Sequence, residues 1–80
     1  MVATNDHGLY ASHESEAVVN AALVRAARRV VVVADRTKLG RTAFALICRT
    51  GEIDELITDA AAEPGPVEAL RAAGVEVRLV

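Results

Sequence analysis

The sequence is poor in several residue types, and each scarcity excludes a class of protein. Its 80 residues include one cysteine, two prolines, two aromatic side chains and no tryptophan. The single cysteine, Cys48, cannot form a disulfide within the chain, and its apolar neighbours favour a small core residue in a reducing, cytoplasmic compartment. Tyr10 and Phe44 are too few aromatic residues for a platform that stacks the bases of single-stranded nucleic acid.

Long apolar runs and an excess of positive charge are also missing. No apolar run approaches the roughly 20 residues that span a bilayer, and no apolar segment after Met1 has the form of a signal peptide, so no membrane partner is expected. Nine Lys and Arg against eleven Asp and Glu give a net charge of −2, which does not favour a free-standing nucleic-acid-binding module. A chain this short holds at most one domain.

The first half of the sequence predicts a loop, a helix and a buried strand. Residues 1–13 are polar and lack any period, so we expect a loop there and a missing preceding half-domain. Residues 14–28 predict a helix whose apolar face carries Val19, Leu23 and Ala26, with Ser12 or Ser15 as the cap. The segment Val30–Ala34 is apolar at every position, which predicts a parallel strand covered on both faces.

The second half repeats this alternation of helices and strands. A short helix is predicted at about 41–48, where Phe44, Ile47 and Cys48 share a stripe and Gly51 supplies a left-handed stop. Residues 56–58 predict a brief strand, residues 64–74 a helix that begins at two prolines, and residues 75–79 an alternating strand. The predicted fold class is therefore α/β, a three-layer fragment with a small parallel sheet and right-handed crossovers.

The segment Asp35–Arg41 is the sharpest candidate for a ligand site. It follows the carboxyl end of a buried strand and precedes a predicted helix, the position at which open α/β sheets bind ligands. Lys38 supplies a point charge, Thr37 a hydroxyl, and Asp35 either an acceptor for a sugar hydroxyl or an Asx-type turn. Gly40 and Arg41 complete the segment. From the residues alone, a phosphate site and a solvated turn both remain open.

Two further polar segments are candidates for the same site. Thr58 and Asp59 end the next strand, where they either face a ligand or form a turn. Asn5 and Asp6 lie in a polar loop that can hydrogen-bond a sugar. We predict no metal, no cofactor and no catalytic nucleophile, because the histidines lack a ligand spacing and the serines and cysteine have capping or packing positions.

The pattern from about Thr4 to Val80 resembles the C-terminal half of the effector-binding domain of DeoR-family transcriptional regulators. The resemblance rests on Val30 to Ala34 with Asp35-Arg36-Thr37-Lys38-Leu39-Gly40, on Ile53 to Asp59, and on three further segments. Those segments are Gly8-Leu9, residues 16–24 and residues 70–77.

The resemblance implies a sensor domain with a fold related to ribose-5-phosphate isomerase. Such a domain binds a phosphorylated sugar or similar metabolite and thereby changes the DNA affinity of a linked helix-turn-helix. Lys38 matches the family's lysine near the effector, with Asp35 and Thr37 beside it. DNA is then contacted only through a missing N-terminal domain, and the first half of the sensor domain is missing as well.

Two other interpretations compete with a sensor. The first is a fragment of a sugar-phosphate isomerase-like enzyme, since enzymes of the related fold also carry an Asp-x-Ser-Lys strand end. Isomerisation needs a positioned general base, and no carboxylate stands out as one, so the protein is expected not to be an enzyme. The second is a truncated remnant that persists by oligomerising, since an open three-stranded sheet favours a homo-oligomer.

Overall fold

The computed structural model describes residues 2–80, which form two helices and two three-stranded sheets. The helices are α1 (Glu14–Ala26) and α2 (Pro64–Ala72). The strands are β1 (Val2–Thr4), β2 (Gly8–Ala11), β3 (Val31–Val33), β4 (Ala45–Arg49), β5 (Glu55–Thr58) and β6 (Glu76–Leu79). Single 3-10 turns follow β3 and β4 at Arg36–Lys38 and Thr50–Glu52. The α/β class is confirmed.

The parallel sheet has the strand order β3-β5-β6 and contains the best-predicted elements. Val32, Leu56 and Val77 lie side by side across it and join the inward residues of α2 in the hydrophobic core. The prediction that both faces of the valine strand are covered is wrong. Val31 and Val33 are 44% and 72% exposed, because α1 packs against β2 and β4 instead of this second face.

The antiparallel sheet, with the order β1-β2-β4, was not predicted. Residues 1–13 are not a loop, since β1 and β2 form a hairpin within them; Met1 lies outside the described residues. Of the polar residues that suggested a loop, Asn5, Asp6 and His7 form the turn of the hairpin, while Ser12 and His13 follow β2. The strands on either side are too short for an alternating pattern to stand out.

The helix predicted at about 41–48 is wrong, because this segment forms β4, which pairs with β2. In the strand, Ile47 and Cys48 are both buried, whereas Leu46 is 51% exposed and Ala45 is half-buried. The spacing of Phe44, Ile47 and Cys48 fits a helix by coincidence, and pairing with β2 decides the outcome. Gly51 does not take a left-handed conformation; the glycines with positive φ are Gly40 and Gly74.

Helix α1 begins close to the predicted residue but faces another way. His13, and not a serine, occupies the cap position, and its side chain makes no capping hydrogen bond. The predicted apolar face is wrong, because Val19 and Leu23 are exposed while Ala17 is buried on the antiparallel sheet. A small alanine lets the helix approach the sheet closely. Within residues 2–80, neither helix has the length and apolar character needed to cross a membrane.

The two sheets meet at the segment that follows β3. Thr4 of β1 forms an isolated parallel bridge with Leu39. The carbonyl oxygen of Thr4 accepts hydrogen bonds from the backbone N–H groups of Gly40, at 2.8 Å, and Arg41, at 3.3 Å. The loop 35–41 is therefore held between the end of the parallel sheet and the hairpin.

Candidate functional site

Asp35 organises the loop at the end of β3. It caps the 3-10 turn, and its Oδ1 atom accepts hydrogen bonds from the backbone N–H of Thr37, at 2.8 Å, and from the Thr37 hydroxyl. These bonds, followed by the Lys38 ammonium, lower the pKa of Asp35 to about 2. The carboxylate thus forms the Asx-type turn that was one of its two predicted roles.

Lys38 folds back onto the same two side chains. Its Nζ atom lies 3.2 Å from Oδ2 of Asp35 and 3.1 Å from Oγ1 of Thr37. The structure therefore brings three of the predicted site residues into one cluster. An ammonium group has three N–H donors, and two of them are directed within the cluster. Lys38 itself does not line the groove that lies beside this loop.

Asp59, at the end of β5, clamps the same loop. Its Oδ1 atom accepts from the backbone N–H of Arg36 at 2.6 Å, and its Oδ2 atom accepts from the Arg36 guanidinium at 3.2 Å. The backbone N–H first, and the guanidinium after it, hold the pKa of Asp59 below its usual range. The carboxyl ends of β3 and β5 are thereby joined through an ionised side chain, and the Arg36 guanidinium is fixed in place.

Thr58 and Gly40 have structural positions. Thr58 is 2% exposed, and its hydroxyl lies inside the fold with no hydrogen-bond partner among residues 2–80. Gly40 has a φ of 71°, a backbone conformation that residues with a side chain rarely adopt. A β-carbon there would also come within 3.3 Å of the Pro66 ring. Gly40 thus allows the loop to turn closely against the start of α2.

Asn5 and Asp6, the other predicted sugar contacts, separate in the structure. The Asn5 side chain is occupied within the fold: it donates to the Arg41 carbonyl at 3.2 Å and accepts from the backbone N–H groups of His7 and Gly8. Asn5 therefore supports the loop from the hairpin. Asp6 lies exposed at the hairpin turn, 3.9 Å from the His7 ring, and does not line the groove described next.

A groove of about 260 Å³ opens between the loop and the first turn of α2. Its lining combines basic, hydroxyl, acidic and apolar side chains. They are Arg36, Thr37, Leu39, Arg41, Glu63 and Pro66. Of these, Arg36, Leu39, Glu63 and Pro66 were not among the predicted site residues. Two of them could have been found from the sequence. Arg36 lies within the candidate loop, and Pro66 is one of the two prolines that begin the helix after the next strand.

The chemistry available in this groove is recognition of a small anion. Arg36 and Arg41 supply fixed positive charge, the Thr37 hydroxyl can donate or accept, and Glu63 can accept from a ligand hydroxyl. Residues 2–80 contain no group of three His, Cys, Asp or Glu side chains that could hold a metal ion. Cys48 is buried away from the groove, and burial raises its pKa to about 11.

The loop and groove lie at the carboxyl ends of parallel strands, the position at which open α/β sheets bind ligands. Comparison with known families makes the assignment specific: residues 2–60 match the DeoR C-terminal sensor domain. The chain belongs to this family. No solved structure matches it significantly.

Three curated relatives align with almost the whole chain. The helix-turn-helix-type transcriptional repressor GlcR of Bacillus subtilis is 34% identical over 77 residues, 96% of this chain and 30% of the relative. A putative aga operon transcriptional repressor of Escherichia coli O157:H7 is 37% identical over 75 residues, or 94% and 28%. The transcriptional regulator GlpR of Haloferax volcanii is 39% identical over 72 residues, or 90% and 28%. The chain thus spans less than a third of each relative.

Proposed function

We propose that this chain is the part of a transcriptional regulator's sensor domain that binds a phosphorylated sugar. Binding changes the affinity for DNA of a helix-turn-helix domain that lies outside these residues. Membership of the sensor-domain family supports the regulatory role. The observation that carries the choice of ligand is the groove, where Arg36 and Arg41 face an opening about as large as a small metabolite.

The groove divides into an anion side and a hydroxyl side. Arg41 and the Arg36 guanidinium, which Asp59 holds in place, bind the phosphate oxygens from the groove lining. Lys38 does not line the groove, but it contacts the lining residue Thr37, and its remaining donor adds a further bond to the phosphate. The Arg36 guanidinium is preorganised by Asp59 and therefore loses little side-chain entropy on binding. Glu63, on the α2 side of the groove, accepts from a sugar hydroxyl. In this proposal Lys38 supplies a charge and Thr37 a hydroxyl, as the sequence predicts, whereas Asp35 acts by holding these two side chains in position.

The same proposal includes the other properties expected of a sensor. The protein binds its ligand in the cytoplasm and without turnover, a proposal supported by its relatives, which are transcriptional repressors and regulators. The fold is the part of a ribose-5-phosphate isomerase-like domain that contains these six strands, and a preceding segment supplies the rest. The regulator is a homo-oligomer.

Replacing Lys38 tests the anion site. Lys38→Ala removes a charge-assisted hydrogen bond worth about 1.5–3 kcal/mol, which is roughly a ten- to hundred-fold loss of affinity. The melting temperature should hardly change, because the ion pair with Asp35 is exposed to solvent. Titration calorimetry with ribose 5-phosphate, glucose 6-phosphate and inorganic phosphate measures the affinity, and the recovered sugars should be chemically unchanged.

Arg28→Ala is the matched control, since Arg28 is exposed and lies outside both the groove lining and the cluster of Asp35, Thr37 and Lys38. It should leave the affinity within about twofold, as expected for a surface charge away from the ligand. If the parent protein binds these phosphates and Lys38→Ala binds them equally well, the loop is only a structural turn. If the parent binds none of them, the choice of a phosphorylated sugar is wrong.

A further inference from the structure

Most charges around the groove beside the loop 35–41 are paired with a partner. The Lys38 ammonium lies 3.2 Å from the Asp35 carboxylate, and the Arg36 guanidinium lies 3.2 Å from the Asp59 carboxylate. Each pair brings a cation and an anion together, so neither pair adds net charge to the site. The electrostatic character of the groove therefore depends on the charged side chains that remain.

Two charged side chains of the groove lining remain, Arg41 and Glu63, and they have opposite signs. Arg41 makes its contacts through the backbone, whose N–H donates to the Thr4 carbonyl and whose own carbonyl accepts from Asn5. Glu63 occupies the cap position of α2, but its side chain makes no capping hydrogen bond. Within residues 2–80 neither side chain forms an ion pair. The groove thus presents one uncompensated cation and one uncompensated anion to a ligand.

The start of α2 indicates on which side of the groove an anion binds. The N-terminus of a helix normally attracts an anion through its free backbone N–H groups. Proline has no N–H, and Pro64 and Pro66 occupy the first and third positions of α2, so Gly65 alone supplies a donor there. The α2 side also carries the Glu63 carboxylate and is therefore a poor place for a phosphate. The phosphate is left to the two arginines, and the α2 side faces the rest of the ligand.

We propose that the ligand is a phosphorylated amino sugar, whose ammonium group binds Glu63 while its phosphate binds Arg36 and Arg41. This inference rests on the proposed binding of a sugar phosphate and names the second group that the groove recognises. A sugar hydroxyl can donate to Glu63, but it leaves the carboxylate uncompensated in the same groove as a phosphate of like charge. An ammonium group also donates, and it removes that repulsion. Glu63 is then the residue that determines specificity.

Two ligands of nearly equal shape test this inference. Glucosamine 6-phosphate and glucose 6-phosphate differ only in the group on carbon 2, which is an ammonium in the first and a hydroxyl in the second. Titration calorimetry at about pH 6.5, where the amine is protonated, and at low salt, which limits screening, measures both affinities for the parent protein. Glucosamine 6-phosphate should bind about fivefold more tightly, which is the range that an exposed ion pair allows.

Glu63→Gln removes the charge of the side chain and keeps its shape. This variant should bind the two ligands with affinities within about twofold of each other, because the amide oxygen accepts from either group but carries no charge. Its affinity for glucose 6-phosphate should not fall. Glu68→Gln is the matched control: Glu68 is exposed on the same helix, but it pairs with Arg71 and does not line the groove. It changes the net charge equally and should keep the preference of the parent.

The outcomes distinguish this inference from the proposed function. A parent protein that binds neither sugar phosphate contradicts the proposed function and, with it, this inference. A parent that binds both equally, or glucose 6-phosphate more tightly, overturns the amino sugar alone and leaves the phosphate site in place. A preference that survives in Glu63→Gln also overturns it, because the ammonium group then binds elsewhere. Loss of the preference in Glu68→Gln overturns it as well, since the net charge of the protein then explains the difference.

Discussion

Replacing Gly8 by alanine tests how the hairpin is held against β4. Gly8 begins β2, where the strand runs very close to its neighbour. A β-carbon at this position would lie 2.6 Å from the carbonyl oxygen of Cys48 and 2.8 Å from a terminal methyl group of Leu46. The leucine can rotate away. The carbonyl cannot, because it belongs to the β4 backbone.

Gly8→Ala should remove a large part of the free energy of unfolding of a chain of this size. Separating β2 from β4 to admit a methyl group is a form of overpacking, which costs about 1–3 kcal/mol. The movement also strains the hydrogen bonds between Gly8 and Asn5, each worth about 1 kcal/mol. We expect a loss of about 2–4 kcal/mol, against a total of roughly 4–12 kcal/mol for 80 residues at typical stability per residue.

Urea unfolding followed by circular dichroism at 222 nm measures this loss. Gly51→Ala is the control, because a β-carbon at Gly51 meets no atom within 4 Å and its φ is not positive. That variant should stay within about 0.5 kcal/mol of the parent, as surface substitutions usually do. If Gly8→Ala is as stable as Gly51→Ala, the close approach of β2 to β4 does not exist in solution.

Two further predictions follow from the perturbed titrations. The lowered pKa values of Asp35, about 2 against an ordinary 3.8, and of Asp59 mean that both carboxylates stabilise the fold above about pH 4 and lose this contribution as the pH falls. The urea midpoint should therefore fall between pH 5 and pH 2, and fall less steeply in Asp59→Asn; an identical slope in that variant would contradict the clamp on Arg36. Burial raises the pKa of Cys48 to about 11, so at pH 8 the native thiol should react with iodoacetamide far more slowly than in 6 M urea, and equal rates would contradict its burial.

The sequence alone determined the parts of the fold in which local pattern and burial agree. Pro64 and Pro66 begin α2, and Gly74 follows its end with a positive φ. The next strand alternates as predicted through Val75, Glu76, Val77 and Arg78, whereas Leu79 is 41% exposed. The valine strand was predicted correctly because β-branched residues are enriched in strands, where they fit a pleated and partly buried surface. The position of the candidate loop followed from these elements, since the residues after parallel strands gather at one edge of the sheet.

Only the tertiary structure decided what pairs with what. Ala45–Arg49 is a strand because β2 lies beside it, and no local signal reports a partner more than thirty residues away. The same limit applies to the site. The order of residues placed Asp35, Thr37 and Lys38 in one loop. The hydrogen bonds of Asp59 with Arg36 and of Asn5 with Arg41 form only once the sheets have formed. The exposure of Val31 and Val33 could not be predicted from the sequence either. An apolar side chain favours burial, but the sequence does not show whether another element covers it.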